Sequence, residues 1–380
     1  MKKLMEKIGE ELVKAFETAG YDSSYAKVTV SNRPDLCEFQ CNGAMAAAKQ
    51  YRKAPIQIAS AVVDALEKGG VIGEAEAAAP GFINLKVNPE ALSEYLNQMQ
   101  MDQDLSVEKA REPKTIIVDY GGANAAKPLH VGHLRSAIIG ESIKRMGRFM
   151  GHHVIGDVHL GDWGLQMGLI ITELAERKPE LPYFDESYSG EYPEEPPFTI
   201  SELEEIYPAA SARSKEDAEY KEKALTATFE LQQGRSGYRA LWKHIMTVSV
   251  ADLKKNYSNL NVDFDLWKGE SDVQDYIPRM AEYMKDAGYA YYDQGALIVD
   301  VKEESDTKEI PPCIILKSDG AALYTTTDLA TIMDRMEHYH PDEMIYLADK
   351  RQELHFTQVF RCARKTKLVD EDTGLTFIGF

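Results

Sequence analysis

Cysteine is scarce, with four in 380 residues, too few to staple a chain of this length through disulfides. Cys37 and Cys41 have C-x3-C spacing, but Cys313 and Cys362 lie far along the chain, and no metal site is expected there. Long apolar runs are missing. Nothing approaches the roughly 18 residues that a membrane-spanning helix needs. The opening MKKLMEKIGEELVKAF carries charge at helical spacing, which excludes a signal peptide's apolar stretch, and a cytoplasmic address is expected. Positive charge is also short: 43 Lys and Arg stand against 62 Asp and Glu, a net charge of −19. That balance disfavours non-specific binding along nucleic acid, though a local basic face is still allowed. The apolar fraction of 44% and charged fraction of 28% are those of a folded chain and exclude wholesale disorder. At roughly 100–200 residues per domain, the length suggests two or three domains.

The first hundred residues read as a separate small α+β unit. Leu4, Ile8, Leu12, Val13 and Phe16 recur at helical spacing until Gly20. KVTVSN and PGFINLKV carry strand signals, and GAMAAAKQYRK and IQIASAVVDALEKGG read as helices separated by Pro55. NPEALSEYLNQMQ is a further helix, followed by the polar linker MDQDLSVEKAREPK. This module is expected to span 1–108, with a catalytic domain over 109–380.

The second part begins with TIIVDY, a buried-strand run, then the loop GGANAAKPLHVGH and the amphipathic helix LRSAIIGESIKRMGRFMG. HHVIGDVHLG is a second strand and DWGLQMGLIITELAERK a second helix. Strand–loop–helix–strand–helix implies an α/β fold with a parallel sheet, whose ligands sit beyond the strands' carboxyl ends. From about 179 to 222 the chain turns rich in Pro, Glu, Asp and Tyr and is expected to be an acidic surface insertion. ALIVDV, CIILKS and EMIYLA are later strand candidates, and no fixed-period repeat is present.

The chemistry-bearing segment is Asn124-Ala-Ala-Lys127-Pro-Leu-His130-Val-Gly132-His133. Two histidines three residues apart share one side of a helix start, and both can donate to phosphate oxygens. The free amides and dipole of that helix start attract anions. Gly132 lets a base or phosphate approach the backbone, and Lys127 adds a mobile positive charge. Preorganised donors facing a developing phosphorus-centred charge are worth roughly 3–4 kcal/mol each, by analogy with oxyanion holes. A lone H-x-G-H is as often a packed histidine and a surface one. Here it follows a strand, opens a helix and has a lysine upstream.

This segment, through Leu134, Arg135 and Ser136, resembles the first signature of class I aminoacyl-tRNA synthetases. The Asn-x-x-Lys prefix and the following HLGDWGLQ resemble the arginyl-tRNA synthetases in particular. CNGAMAAAK and PGFINL resemble that family's N-terminal domain, and LYTTTDLA and DKRQELHF its later motifs. One departure is Gly121-Gly122-Ala123, where the family often has serine and proline. The resemblance implies a Rossmann-type nucleotide-binding catalytic domain with insertions, preceded by an N-terminal α+β domain that contacts tRNA. It implies ATP and Mg2+ as cofactors, arginine and tRNA(Arg) as partners, and a monomer. Lys127, His130 and His133 would be catalytic, and with Gly132 would bind ATP.

Arginine presents a planar, always-charged guanidinium, and burying it demands carboxylates and neutral acceptors. Tyr324 and Asp328 lie one helical turn apart and can face one cavity. Glu270 lies in the turn WKGES and Gln352 just after EMIYLA. The family's guanidinium-binding positions match these four, Asp119 matches an acid near the α-ammonium, and Asn124 would hold the amino acid from the loop. Each has a plainer reading: Asp328 as a helix-end pair, Glu270 as solvated, Tyr324 as core, Gln352 as surface. His338, His340, His152 and His153 lack convergent cysteines or acids and read as structural. Asp162, Trp163 and Gln166 are expected to line the pocket.

Two rival functions stand beside this one. A small-molecule nucleotidyltransferase also uses H-x-G-H, but lacks the N-terminal module and the Glu270, Tyr324 and Asp328 set. A catalytically silent tRNA-binding partner is the other. The sequence ends at GLTFIGF, before the family's lysine- and serine-containing second signature and its helical anticodon-binding domain. On that ground weak charging activity is expected of these 380 residues.

Overall fold

The computed structural model describes residues 3–67 and 69–380, and the chain divides into two units, Met1–Lys109 and Ala110–Phe380. In the first, α1 (Leu4–Thr18) buries Ile8, Leu12, Ala15 and Phe16 along one stripe. The helix stops before Gly20, whose φ is +83°, a value that suits glycine. α2 (Gly43–Tyr51) and α3 (Pro55–Asp64) follow β1 (Val28–Val30) and β2 (Phe39–Cys41), with Pro55 in the first helical turn, where its missing N–H costs nothing. β3 (Ile72–Ala78) and β4 (Phe82–Val87) complete an antiparallel sheet of order β1-β2-β4-β3. A Cβ at Gly43 would lie 1.9 Å from the Tyr25 carbonyl oxygen, so only glycine fits. Cys37 and Cys41 are free and buried, and Cys41 joins this core. α4 (Pro89–Met101) is capped by the Asn88 side chain, which accepts from the Glu90 N–H at 2.9 Å.

The second unit is built on four parallel strands in the order β11-β10-β5-β6. These are β5 (Thr115–Asp119), β6 (His153–Asp157), β10 (Glu343–Ala348) and β11 (Gly374–Gly379), with α5 (Val131–Phe149) crossing from β5 to β6. The chain leaves β5 toward β6 on one side, while β10 and β11 extend the sheet on the other. The switch point therefore falls between β5 and β10, where a crevice opens at the strands' carboxyl ends. The GLTFIGF run, given no element in the sequence reading, forms β11.

Between β6 and β10 the chain inserts a helical layer and a small antiparallel sheet. The helices are α6 (Leu165–Arg177), α7 (Ile200–Glu216), α8 (Ala218–Gln232), α9 (Ser236–Asn259) and α10 (Tyr276–Asp286). The sheet is β7 (Tyr291–Asp293), β8 (Ala296–Val299) and β9 (Cys313–Leu316), in that order. α11 (Tyr324–Tyr339) leads into β10, and α12 (Glu353–Lys365) joins β10 to β11.

The stretch 179–222 corrects its sequence reading as a surface insertion. Tyr183, Phe198, Leu203 and Ile206 are buried in one core with Met167, Ile170 and Leu241 of the neighbouring helices. Its acids, none of them buried, lie in the loop before α7 and on α7 and α8, and their number masked the apolar Leu203, Ile206 and Ala210 at helical spacing. Among the described residues no helix is long and apolar enough to cross a membrane.

Candidate active site

The loop after β5 is tied down at both ends. Tyr120 N–H donates to the Asp157 carbonyl, and Gly161 N–H donates to the Ala123 carbonyl at 3.0 Å. Gly121 N–H donates to Ser136 Oγ, which itself donates to the Leu347 carbonyl of β10, both at 3.0 Å. Gly121 and Gly122 have φ of +90° and +55°. The two glycines that depart from the family pattern thus occupy backbone that β-carbon residues adopt with strain. They turn the loop here.

His130 is the N-cap of α5, and its Nδ1 accepts from the Gly132 N–H at 3.1 Å. His133 Nδ1 accepts from the His130 N–H at 3.2 Å. With both Nδ1 atoms accepting, the ring protons sit on Nε2, and each ring keeps an outward N–H donor. The rings stack with centroids 3.9 Å apart. Burial first, then the neighbouring His130 and Lys127, push the His133 pKa down to about 4. His133 is therefore a neutral donor at pH 7. A Cβ at Gly132 would come within 2.9 Å of His130 Cε1, so glycine is what allows this stack. Lys127 Nζ lies 4.8 Å from the centroid of the Tyr207 ring, over its face.

Beside the loop lies a cavity of about 980 Å³ lined by Asn124, Trp163, Gln166, Glu270 and Tyr324 among others, at the upper end of the range for small-molecule sites. Short bridges past the sheet converge these residues. Asp157 pairs with Leu266, Leu160 with Gly269 and Asn124 with Gly161, all parallel. Asp162 holds the turn that carries Glu270: Ser271 N–H and Ser271 Oγ donate to its carboxylate at 3.0 and 2.5 Å. Gln166 Nε2 donates to the Gly161 carbonyl at 3.0 Å. Trp163 and Gln166 line the cavity, while Asp162 acts beneath it. Burial raises the Glu270 carboxyl pKa, which the nearby His159 opposes and the Asp162 and Asp328 charges reinforce.

The six residues singled out for arginine are not all in one place. Asn124, Glu270 and Tyr324 share the cavity. Asp328 follows Tyr324 by one turn of α11, and its Oδ2 is 2.5 Å from His355 Nε2. Gln352 does not line the cavity: it is exposed, at the end of a short turn, as the N-cap of α12. Asp119 lies at the end of β5, but its Oδ2 accepts from Arg335 Nη2 at 2.6 Å. The same Nη2 donates to Asp157 Oδ2 at 2.7 Å. Burial raises the Asp119 carboxyl pKa, and Arg335 works against that rise.

Sequence reasoning missed Asp157, His159, Arg335 and His355. His159, at φ +26° in the HLG run, has a buried Nδ1 with no hydrogen-bond partner. It lies close enough to Asp119, Asp162 and Glu270 that a proton on its ring would lower the carboxyl pKa of all three. Of the outlying histidines, His152 Nδ1 accepts from Lys114 N–H at 3.1 Å, and His338 Nδ1 lies 3.2 Å from Asp334.

The arrangement has two halves: outward N–H donors at a helix start, suited to phosphate oxygens, and an adjoining cavity with buried acid, suited to a cation. The family model for the class I (R) tRNA synthetase catalytic domain matches residues 95–380, and that for the arginyl-tRNA synthetase N-terminal domain matches residues 2–87. An arginine–tRNA ligase of Agathobacter rectalis is 65% identical over all of this chain, and one of Alkaliphilus oremlandii 61%. The chain spans 64% and 65% of the length of those two relatives. The arginyl-tRNA synthetase structure of Plasmodium falciparum superposes over the whole chain with a TM-score of 0.73 at 24% identity, covering 65% of that structure. That of Thermus thermophilus gives 0.67 at 21%, covering 66%. At those identities the structures speak for the fold alone.

Proposed function

The chain belongs to the class I (R) tRNA synthetases, and from that premise we propose that it activates arginine with ATP and passes it to tRNA(Arg). The arginine carboxylate attacks the α-phosphorus of Mg-ATP, the bond to the β-phosphate oxygen breaks, and pyrophosphate leaves. A ribose hydroxyl at the tRNA end then attacks the adenylate's carbonyl carbon, and AMP leaves. No side chain becomes covalently attached, so the acceleration comes from positioning and charge stabilisation.

The observation that carries this reading is the histidine pair. With Nδ1 of each ring engaged by backbone, His130 and His133 present Nε2–H donors at the start of α5. There they add to the dipole of the α5 N-terminus as charge grows on the phosphoryl oxygens. His133 is neutral at pH 7, so it donates without first losing or gaining a proton. Gly132 leaves the backbone open to the nucleotide, and Lys127 would leave Tyr207 to reach the phosphates. Magnesium arrives with the triphosphate as part of the substrate.

For the amino acid, Asn124 would hold the main-chain end from the loop and Asp119 would face the α-ammonium. Glu270, Tyr324 and Asp328 would take the guanidinium, with Gln352 reaching them through a movement of the turn after β10. A guanidinium entering the cavity would favour the ionised form of Glu270, whose pKa burial raises. The first unit would contact tRNA through its shape and backbone. A cytoplasmic address and a monomeric state complete the reading.

The test is ATP–pyrophosphate exchange by residues 1–380 with each amino acid, with and without tRNA. Exchange specific to arginine is expected. Exchange that needs no amino acid would show a different nucleotidyl transfer and overturn the proposal.

A further inference from the structure

Asp328 meets a second side chain before any ligand arrives. His355 comes from the first turn of α12 and is 8% exposed. Its Nε2 lies 2.5 Å from Asp328 Oδ2, and its Nδ1 is buried without a hydrogen-bond partner. Together these settle the tautomer. A proton on Nδ1 would be an unsatisfied buried N–H, whereas a proton on Nε2 is donated to a carboxylate. The imidazole is also wedged in place. The Tyr324 ring lies 4.5 Å from it, centroid to centroid, and the Phe356 ring 5.0 Å.

We propose that His355 is the positioning residue of the guanidinium pocket: through Nε2 it fixes one oxygen of Asp328 and leaves the other for the ligand, an inference that rests on the arginine reading above. The Asp328 side chain is 23% exposed, and without this bond its carboxylate would sample several rotamers. A carboxylate ordered in advance spares the ligand that ordering cost and holds the planar, two-pronged geometry a guanidinium needs. Tyr324 packs on the same imidazole, so two groups assigned to the ligand share one support. His355 itself touches no substrate.

The test is calorimetric titration of arginine, and separately of ATP, into residues 1–380 carrying His355→Leu, His355→Gln, Asp328→Asn, or His355→Leu with Asp328→Asn. His355→Leu is expected to weaken arginine about 10- to 100-fold, the equivalent of a hydrogen bond to a charged group, with ATP unchanged. His355→Gln keeps an N–H donor and should stay within about threefold of the parent, since a conservative donor restores the bond. The double variant should bind arginine no more than about twofold worse than Asp328→Asn alone, because the histidine acts through that acid. Nitrogen-15 spectra of the parent should show the His355 ring proton on Nε2, an observation that needs no variant to fold. Additive losses, parent-like affinity in His355→Leu, or a proton on Nδ1 would each overturn the inference. Absence of arginine binding by the parent would instead overturn the arginine assignment, and this inference with it.

Discussion

Replacing Arg335 by methionine tests how the crevice is held together. Arg335 is 1% exposed, and its Nη2 serves two carboxylates, Asp119 at 2.6 Å and Asp157 at 2.7 Å. Methionine keeps most of the side-chain length but removes the positive charge. Asp157, 1% exposed, then has no ion-pair partner among the described residues, and Asp119, 18% exposed, faces it with like charge. Stripping one partner from a buried ion pair costs about 3–5 kcal/mol, because the charge left behind is neither hydrated nor paired. Asp119 can recover some water, so most of the cost falls on Asp157. The three tryptophans, Trp163, Trp242 and Trp267, all lie in the second unit, and their fluorescence in urea reports that unit. The expected loss at pH 7.5 is about 3–4 kcal/mol. The pH dependence has a definite sign. Burial already raises the Asp119 carboxyl pKa, and removing Arg335 removes what opposes that rise. Between the unfolded value and the raised folded one, the folded chain holds more protons, so the variant loses stability as pH rises. Its deficit against the parent should therefore shrink on acidification. Adding Asp157→Asn should recover part of the loss. A deficit under about 1 kcal/mol at pH 7.5, or one that widens toward acid, would refute the argument.

Asp328→Ala should weaken arginine binding by roughly 3–5 kcal/mol and leave ATP binding alone; arginine affinity within twofold of the parent would remove Asp328 from the pocket. The His133 ring should titrate with a midpoint near 4, followed by its NMR shift. An unfolded histidine binds its proton at higher pH, so this group makes stability fall as pH drops from the usual histidine range toward 4. Gly43→Ala should destabilise the first unit by about 1–3 kcal/mol or more in circular dichroism melts, since its Cβ meets the Tyr25 carbonyl oxygen; an unchanged melt would contradict that contact. Deleting residues 1–108 should lower tRNA affinity and flatten its salt dependence. Unchanged affinity and slope would exclude the first unit from binding.

What the sequence determined by itself was local. The strand TIIVDY, the glycine turn and the helix opened by His130 are written within some thirty consecutive residues, and their spacing and caps are short-range physics. The histidine pair was legible for the same reason: residues three apart at a helix start must be neighbours. Several short or polar strands were not legible: β2, β3, β7 and β11 went unread, although β1, β8 and β9 were read. β3 alternates Glu74 and Glu76 with Ala75 and Ala77, too weak an apolar period to stand out. The core beneath 179–222 was hidden by the acids on its outer face. The remainder of the site was decided only by tertiary structure. Arg335 reaches Asp119 across 216 residues and Asp157 across 178, and no spacing rule encodes that meeting. It depends on β5 and β6 lying in register, so that Asp119 and Asp157 end side by side, with α11 docked against them. The same holds for His355. Its place in KRQELHF gives no sign of a partner on another helix, because a side chain's hydrogen bond across the fold is set by how whole elements pack.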